Sequence, residues 1–109
     1  MYIGTQRRNF GAIQFDWDPN KARNNLKKHG VSFERAAEIF LDPSAISILD
    51  KEHWDQEERW VTLGKDSNGM ALLIVHTFRE TSENQWSIRI ISARKATKKE
   101  KKQYEEGAK

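Results

Sequence analysis

Ile13, Phe15 and Trp17 alternate with Gln14 and Asp16, the two-residue period of a half-buried strand. Asp18-Pro19 follows at once. A carboxylate that accepts orphan amides, followed by a proline with its φ already set, starts a helix. That helix runs to about His29, where Gly30 stops it in the left-handed conformation that glycine tolerates. Ser32 caps a second helix. Its apolar stripe is Phe33, Ala36, Ala37 and Phe40, spaced i, i+3, i+4, i+7, and Leu41-Asp42-Pro43 ends it. Strands are predicted over Ala45–Leu49 and Arg59–Gly64. Asp66-Ser67-Asn68-Gly69 is a hairpin turn. The nearly unbroken apolar run Met70–Arg79 reads as a central strand, Glu80–Gln85 as a polar loop, and Trp86–Arg94 as the next strand. Short connections make these neighbours antiparallel. Thr97-Lys98-Lys99-Glu100 has the form of a capping box, which starts a last helix at Lys98 that closes near Gly107.

The expected class is α+β, a small antiparallel sheet packed against helices. The 109 residues suffice for one domain, with 1–11 as an irregular lead-in and 12–106 as the folded body. Charged residues make up 32% of the chain, against 37% hydrophobic. Four Trp and five Phe nevertheless supply enough apolar area for one modest core. Cysteine is absent, so thiolate chemistry is excluded. His29, His53 and His76 do not fall at metal-ligand spacings, so neither metal nor cofactor is expected. No apolar run reads as a leader or membrane span, which gives a cytoplasmic expectation.

The net charge of +3 says little by itself. Its distribution says more, because Lys21, Arg23, Lys27 and Lys28 crowd one early segment and Arg89, Arg94, Lys95, Lys98, Lys99, Lys101 and Lys102 crowd the end. Brought together, these would form a phosphate-binding patch; left apart, they are solvated helix faces.

Three segments, FDWDPNKARNNLKKHGVSFERAAEIF, EERWVTLG and IRIISARKATKKEKKQYEE, resemble the BrnT-type toxins of type II toxin–antitoxin systems. The resemblance spans about residues 13–106. It implies a RelE-like fold, an endoribonuclease that slows growth, and neutralisation by a BrnA-type antitoxin with a ribbon-helix-helix domain. The implied complex is a heterotetramer that reaches DNA only through the antitoxin.

Metal-free RNA cleavage by the 2′-OH needs a base, cations around the phosphorane-like transition state, and an acid for the leaving oxygen. In the strand Trp86–Arg94, simple alternation puts Ile88, Ile90 and Ser92 on one face and Ser87, Arg89, Ile91 and Ala93 on the other. Arg89 interrupts this apolar strand and Arg79 closes the preceding one. A guanidinium so placed needs an anion, either a substrate phosphate or an acid such as Glu58 across the sheet. Arg79 and Arg89 are the expected catalytic cations, with Glu58 as base or orienter and His29 as acid or base. His29 also fits a plain helix C-cap. Lys27, Lys28, Arg94 and Lys95 are the expected RNA contacts. His76, on the face of Leu72, Ile74 and Phe78, reads as a hydrogen-bonded core residue, and His53 as an uninvolved loop residue. Tyr104, Trp17 and Trp60 read as packing residues. Two competing functions also fit a basic α+β domain: a non-catalytic nucleic-acid binder and a protein-interaction module.

Overall fold

In the computed structural model the described residues are 6–10, 12–50, 58–82 and 84–107, with 6–10 described by backbone only. Six strands form one sheet: β1 (Gln6–Phe10), β2 (Ile13–Trp17), β3 (Ile46–Asp50), β4 (Arg59–Lys65), β5 (Ala71–Ser82) and β6 (Gln85–Lys95). Their order is β1-β2-β6-β5-β4-β3. The helices are α1 (Pro19–His29), α2 (Phe33–Glu38) and α3 (Lys98–Glu106), with a 3₁₀ turn (Ile39–Leu41) continuing α2.

The caps work as the residues predict. The Asp18 side chain accepts from the Asn20 amide, Gly30 ends α1 at φ 70°, and Ser32 accepts from the Arg35 amide. Thr97 and Glu100 form the reciprocal capping box of α3.

Three expectations are corrected. The lead-in is not irregular throughout, since Gln6–Phe10 pairs antiparallel with β2. The sheet is mixed, because β2 joins β6 in parallel, Asp16 opposite Arg89. Finally, β5 runs on to Ser82, so the polar loop is shorter than its composition implies. A pattern argument sees one strand at a time and cannot see pairing that rescues a polar strand.

α1 and α2 cover one face of the sheet. The core there joins Phe15, Trp17, Val31, Phe33, Ile39, Leu72, Ile74, Ile88, Ile90 and Ala93. A register shift between Val75 and His76 inserts Ile91 as a bulge. One extra residue reverses the alternation beyond it. Ala93 therefore joins Ile88 and Ile90 in the core, while Ser92, opposite Val75, goes to the other face. The expected faces of this strand are corrected accordingly.

Asn25 ties α1 to the sheet. Its buried amide donates to the carbonyls of Val31 (3.0 Å) and Ala93 (2.8 Å) and accepts from the Ala93 amide at 3.1 Å. β2 pairs with β6 only as far as Arg89, so beyond that point a side chain stands in for the missing strand.

α3 lies on the opposite face. Leu63, Ala71 and Ala96 pack there with Leu73 and Tyr104. The Tyr104 hydroxyl donates to Asp42 at 2.5 Å, so Tyr104 packs, as expected. This contact raises the Tyr104 pKa. Burial opposes ionisation of Asp42, but the bonds from Tyr104 and the Lys65 and Ser44 amides hold its pKa below the usual value.

Candidate active site

Among the described residues, α3 covers only one end of the second sheet face, leaving the polar ends of three strands open. Register builds the site there. Arg89 on β6 lies between Asp16 on β2 and Thr77 on β5, and Arg79 lies opposite Ser87. Arg79 and Arg89 are thus diagonal neighbours on one face. Together with Asp16, Glu58, Thr77, Phe78 and Ser87 they line an open cavity of about 510 Å³.

Asp16 reaches the Arg89 guanidinium with one oxygen at 3.2 Å, and both side chains are about one-quarter exposed. The expected acid partner for an interior arginine is therefore real, but it is Asp16 and not Glu58. Asp16 looked like the polar half of an alternating strand, and only the parallel pairing reveals its place beside Arg89. Arg79 and Glu58 are exposed, and neither makes an ion pair with another described residue. Two cations and two carboxylates thus converge on a cavity open to solvent, an arrangement that can hold a phosphodiester and accept a proton beside it.

The other expected site residues lie elsewhere. His29, Lys27 and Lys28 form the last turn of α1. That helix packs on the face of Ile88, Ile90 and Ala93, away from Arg89. The expected meeting of His29 with Arg79 and Arg89 is corrected: the two arginines share a cavity and His29 is not among its lining residues. Sequence put His29 near the site only by its chemistry, without topology. Arg94 is gripped by both oxygens of Glu100, at 2.8 and 2.9 Å. The Arg94 hydrogen bond pulls the Glu100 carboxyl down to about 2, so Arg94 is neutralised beside α3. Lys95 is exposed at the end of β6. His53 lies outside the described residues.

His76 is buried, as expected. Its Nε2 meets the Thr62 hydroxyl at 2.6 Å, which in turn meets Ser47 at 2.7 Å, and Nδ1 faces the Thr77 carbonyl at 3.0 Å. Nδ1 must donate to a carbonyl, so Nε2 accepts from Thr62. Burial pushes the ring's pKa down to about 4, against a smaller opposing effect of the Thr77 bond. His76 is therefore neutral at physiological pH and faces away from the cavity. Trp17 is also in the core, 2% exposed.

Compared with known proteins, the chain matches over residues 17–100 the profile of a family described as ribonuclease toxin, BrnT, of type II toxin–antitoxin system. Among solved structures it is similar to the 1.1 Å crystal structure of the Brucella abortus ribonuclease toxin BrnT. The two share 25% identity and a TM-score of 0.54, over 75% of this chain and 94% of that one. No curated protein sequence matches the chain.

Proposed function

The chain belongs to the BrnT family of ribonuclease toxins of type II toxin–antitoxin systems, and on that premise we propose that it is a metal-independent endoribonuclease whose centre is the cavity of Glu58, Arg79 and Arg89. The observation that carries this reading is the convergence of both arginines and a carboxylate from three parts of the chain on one open, polar surface.

Arg79 and Arg89 hold the scissile phosphate. Glu58 takes the 2′-OH proton, the 2′-oxygen attacks phosphorus, and the bond to the 5′-oxygen breaks. The departing oxygen takes a proton from the water of the open cavity. Negative charge grows on the phosphoryl oxygens during this step, and the two guanidinium groups are aimed where it grows. The products are a 2′,3′-cyclic phosphate and a 5′-hydroxyl.

A toxin–antitoxin family implies an antitoxin partner and an RNA target. The finer reading is a ribbon-helix-helix antitoxin of the BrnA type, a heterotetrameric complex, and action in the cytoplasm.

The purified protein should cleave a labelled RNA in the presence of EDTA and leave the ends named above. Arg79→Ala and Arg89→Ala should each lower the rate about 10²–10³-fold, the cost of losing one transition-state charge contact, while circular dichroism stays that of the parent. A mobility shift without cleavage would assign the chain to the non-catalytic binders. Neither shift nor cleavage would favour the interaction module.

A further inference from the structure

Arg59 stands first in β4, opposite Asp50 on the edge strand β3. β4 and β5 are in register with Trp60 opposite His76, which sets Arg59 beside Thr77. Alternation fixes its face. Thr62 bonds His76 on the helix-covered side, and Leu63 packs with Leu73 and Tyr104 on the other. Arg59 shares parity with Leu63, so it belongs to the face of Arg79 and Arg89.

The sheet thus presents one row across its open face: Asp50, Arg59, Thr77, Arg89 and Asp16. Arg59 and Arg89 flank Thr77 from either side, two strand spacings or about 9.6 Å apart. Arg89 has Asp16 as its acid partner. Arg59 is half-buried, and no ion pair joins it to another described residue. Asp50 stands opposite it but makes no ion pair with it, so the guanidinium keeps its fork of donors free of the described carboxylates and suited to a phosphate. Arg59 lies just outside the cavity lining and next to Glu58, which is part of it.

We propose that Arg59 is a second phosphate-binding subsite, which takes a phosphate neighbouring the one held by Arg79 and Arg89. The substrate is then single-stranded RNA lying across β6, β5 and β4, perpendicular to the strands. This rests on the ribonuclease reading and adds a direction to it. The row crosses three neighbouring strands of an open sheet face, a path that the backbone of an extended single strand can follow.

The test is binding of a fluorescent, single-stranded 2′-O-methyl RNA oligonucleotide, which keeps its phosphates but lacks the nucleophile, measured across salt concentrations. Each phosphate contact contributes about 0.7 to the log–log salt slope for single strands. Arg59→Gln should weaken binding about tenfold at low salt and reduce the slope by about 0.7. Arg59→Lys keeps the charge and should restore the slope, which a merely structural role for the guanidinium would not predict. Lys21→Gln, on the exposed side of α1, removes the same charge and should leave the slope alone. An unchanged slope in Arg59→Gln, or an equal fall in Lys21→Gln, overturns the subsite and leaves the cleavage reading intact if the wild-type protein still cuts unmodified RNA. If the wild-type protein neither binds the oligonucleotide nor cuts RNA, both readings fall together.

Discussion

Single side chains in this protein divide sharply between those facing the open cavity and those sealed beneath it. His76 belongs to the second group, and its buried neutrality couples stability to pH. Its folded pKa of about 4 lies below the ordinary 6.5. Between those values the unfolded chain binds more protons than the folded one, so stability rises with pH across that window and is lost as pH falls through it. Glu100, held at about 2 against an ordinary 4.5, adds its own loss further down. The melting temperature should therefore be lower at pH 5 than at pH 7, and His76→Gln should shrink that gap. An undiminished gap in the variant would assign the acid sensitivity to another group. Arg89 shows the limit of residue-level reading. Its interruption of an apolar strand marked it as needing an anion, and the structure supplies Asp16 at 3.2 Å. The monodentate contact fixes the guanidinium's position, and a substrate phosphate joins that pair in the proposed mechanism.

At the scale of elements, the helices were legible because their ends are written in local chemistry. Asp18-Pro19, Gly30, Ser32 and the Thr97–Glu100 box each act within a few residues, so no knowledge of the rest of the fold is needed. The Asn68-Gly69 hairpin was legible for the same reason. What escaped was set by partners distant in sequence. β1 carries Gln, Arg and Asn and becomes a strand only because β2 offers it a ladder. The bulge at Ile91 reversed the face of Ser92 and Ala93, which no count of two could foresee. The two arginines, singled out by their conflict with an apolar pattern, share one cavity, whereas His29 was chosen for its chemistry alone and lies on the other side of the sheet. Asn25 was missed as well, since an Asn inside a charged helix reads as surface. Asn25→Ala removes three hydrogen bonds and strands the Ala93 amide and carbonyl, so it should cost about 2–3 kcal/mol in denaturant unfolding. Gly64 is a second quiet constraint. A Cβ there would sit 3.2 Å from those of Ala45 and Ile39, so any larger residue would have to push the 3₁₀ turn off β4 by a few tenths of an ångström.

Over the whole molecule, local hairpins join β3 through β6 in a row, while the first ribbon must cross to the far side of β6. The ion pair that orients the cavity spans 73 residues. Contacts of such separation are made late, after shorter loops have closed. The Asp16–Arg89 pair therefore needs both the first ribbon and the last hairpin, whereas Glu58, Arg79 and Arg89 all lie on or beside the central hairpins.

That crossover has a consequence for when the protein is dangerous. Synthesis proceeds from the N-terminus at roughly 5–20 residues per second, and β2 waits unpaired on that side until β6 has left the exit tunnel. A growing polypeptide on its ribosome, surrounded by messenger and ribosomal RNA, thus carries no complete form of the proposed site until β6 has been made and has emerged. Nascent chains arrested ahead of Arg89 should be inert toward added RNA, and activity should appear only once β6 is present and β2 has paired with it. Cleavage by the arrested chains would mean that Arg89 and the strand that carries it are dispensable. If they are silent, the time taken to make the chain as far as β6 is time in which an antitoxin can be present before the proposed site forms.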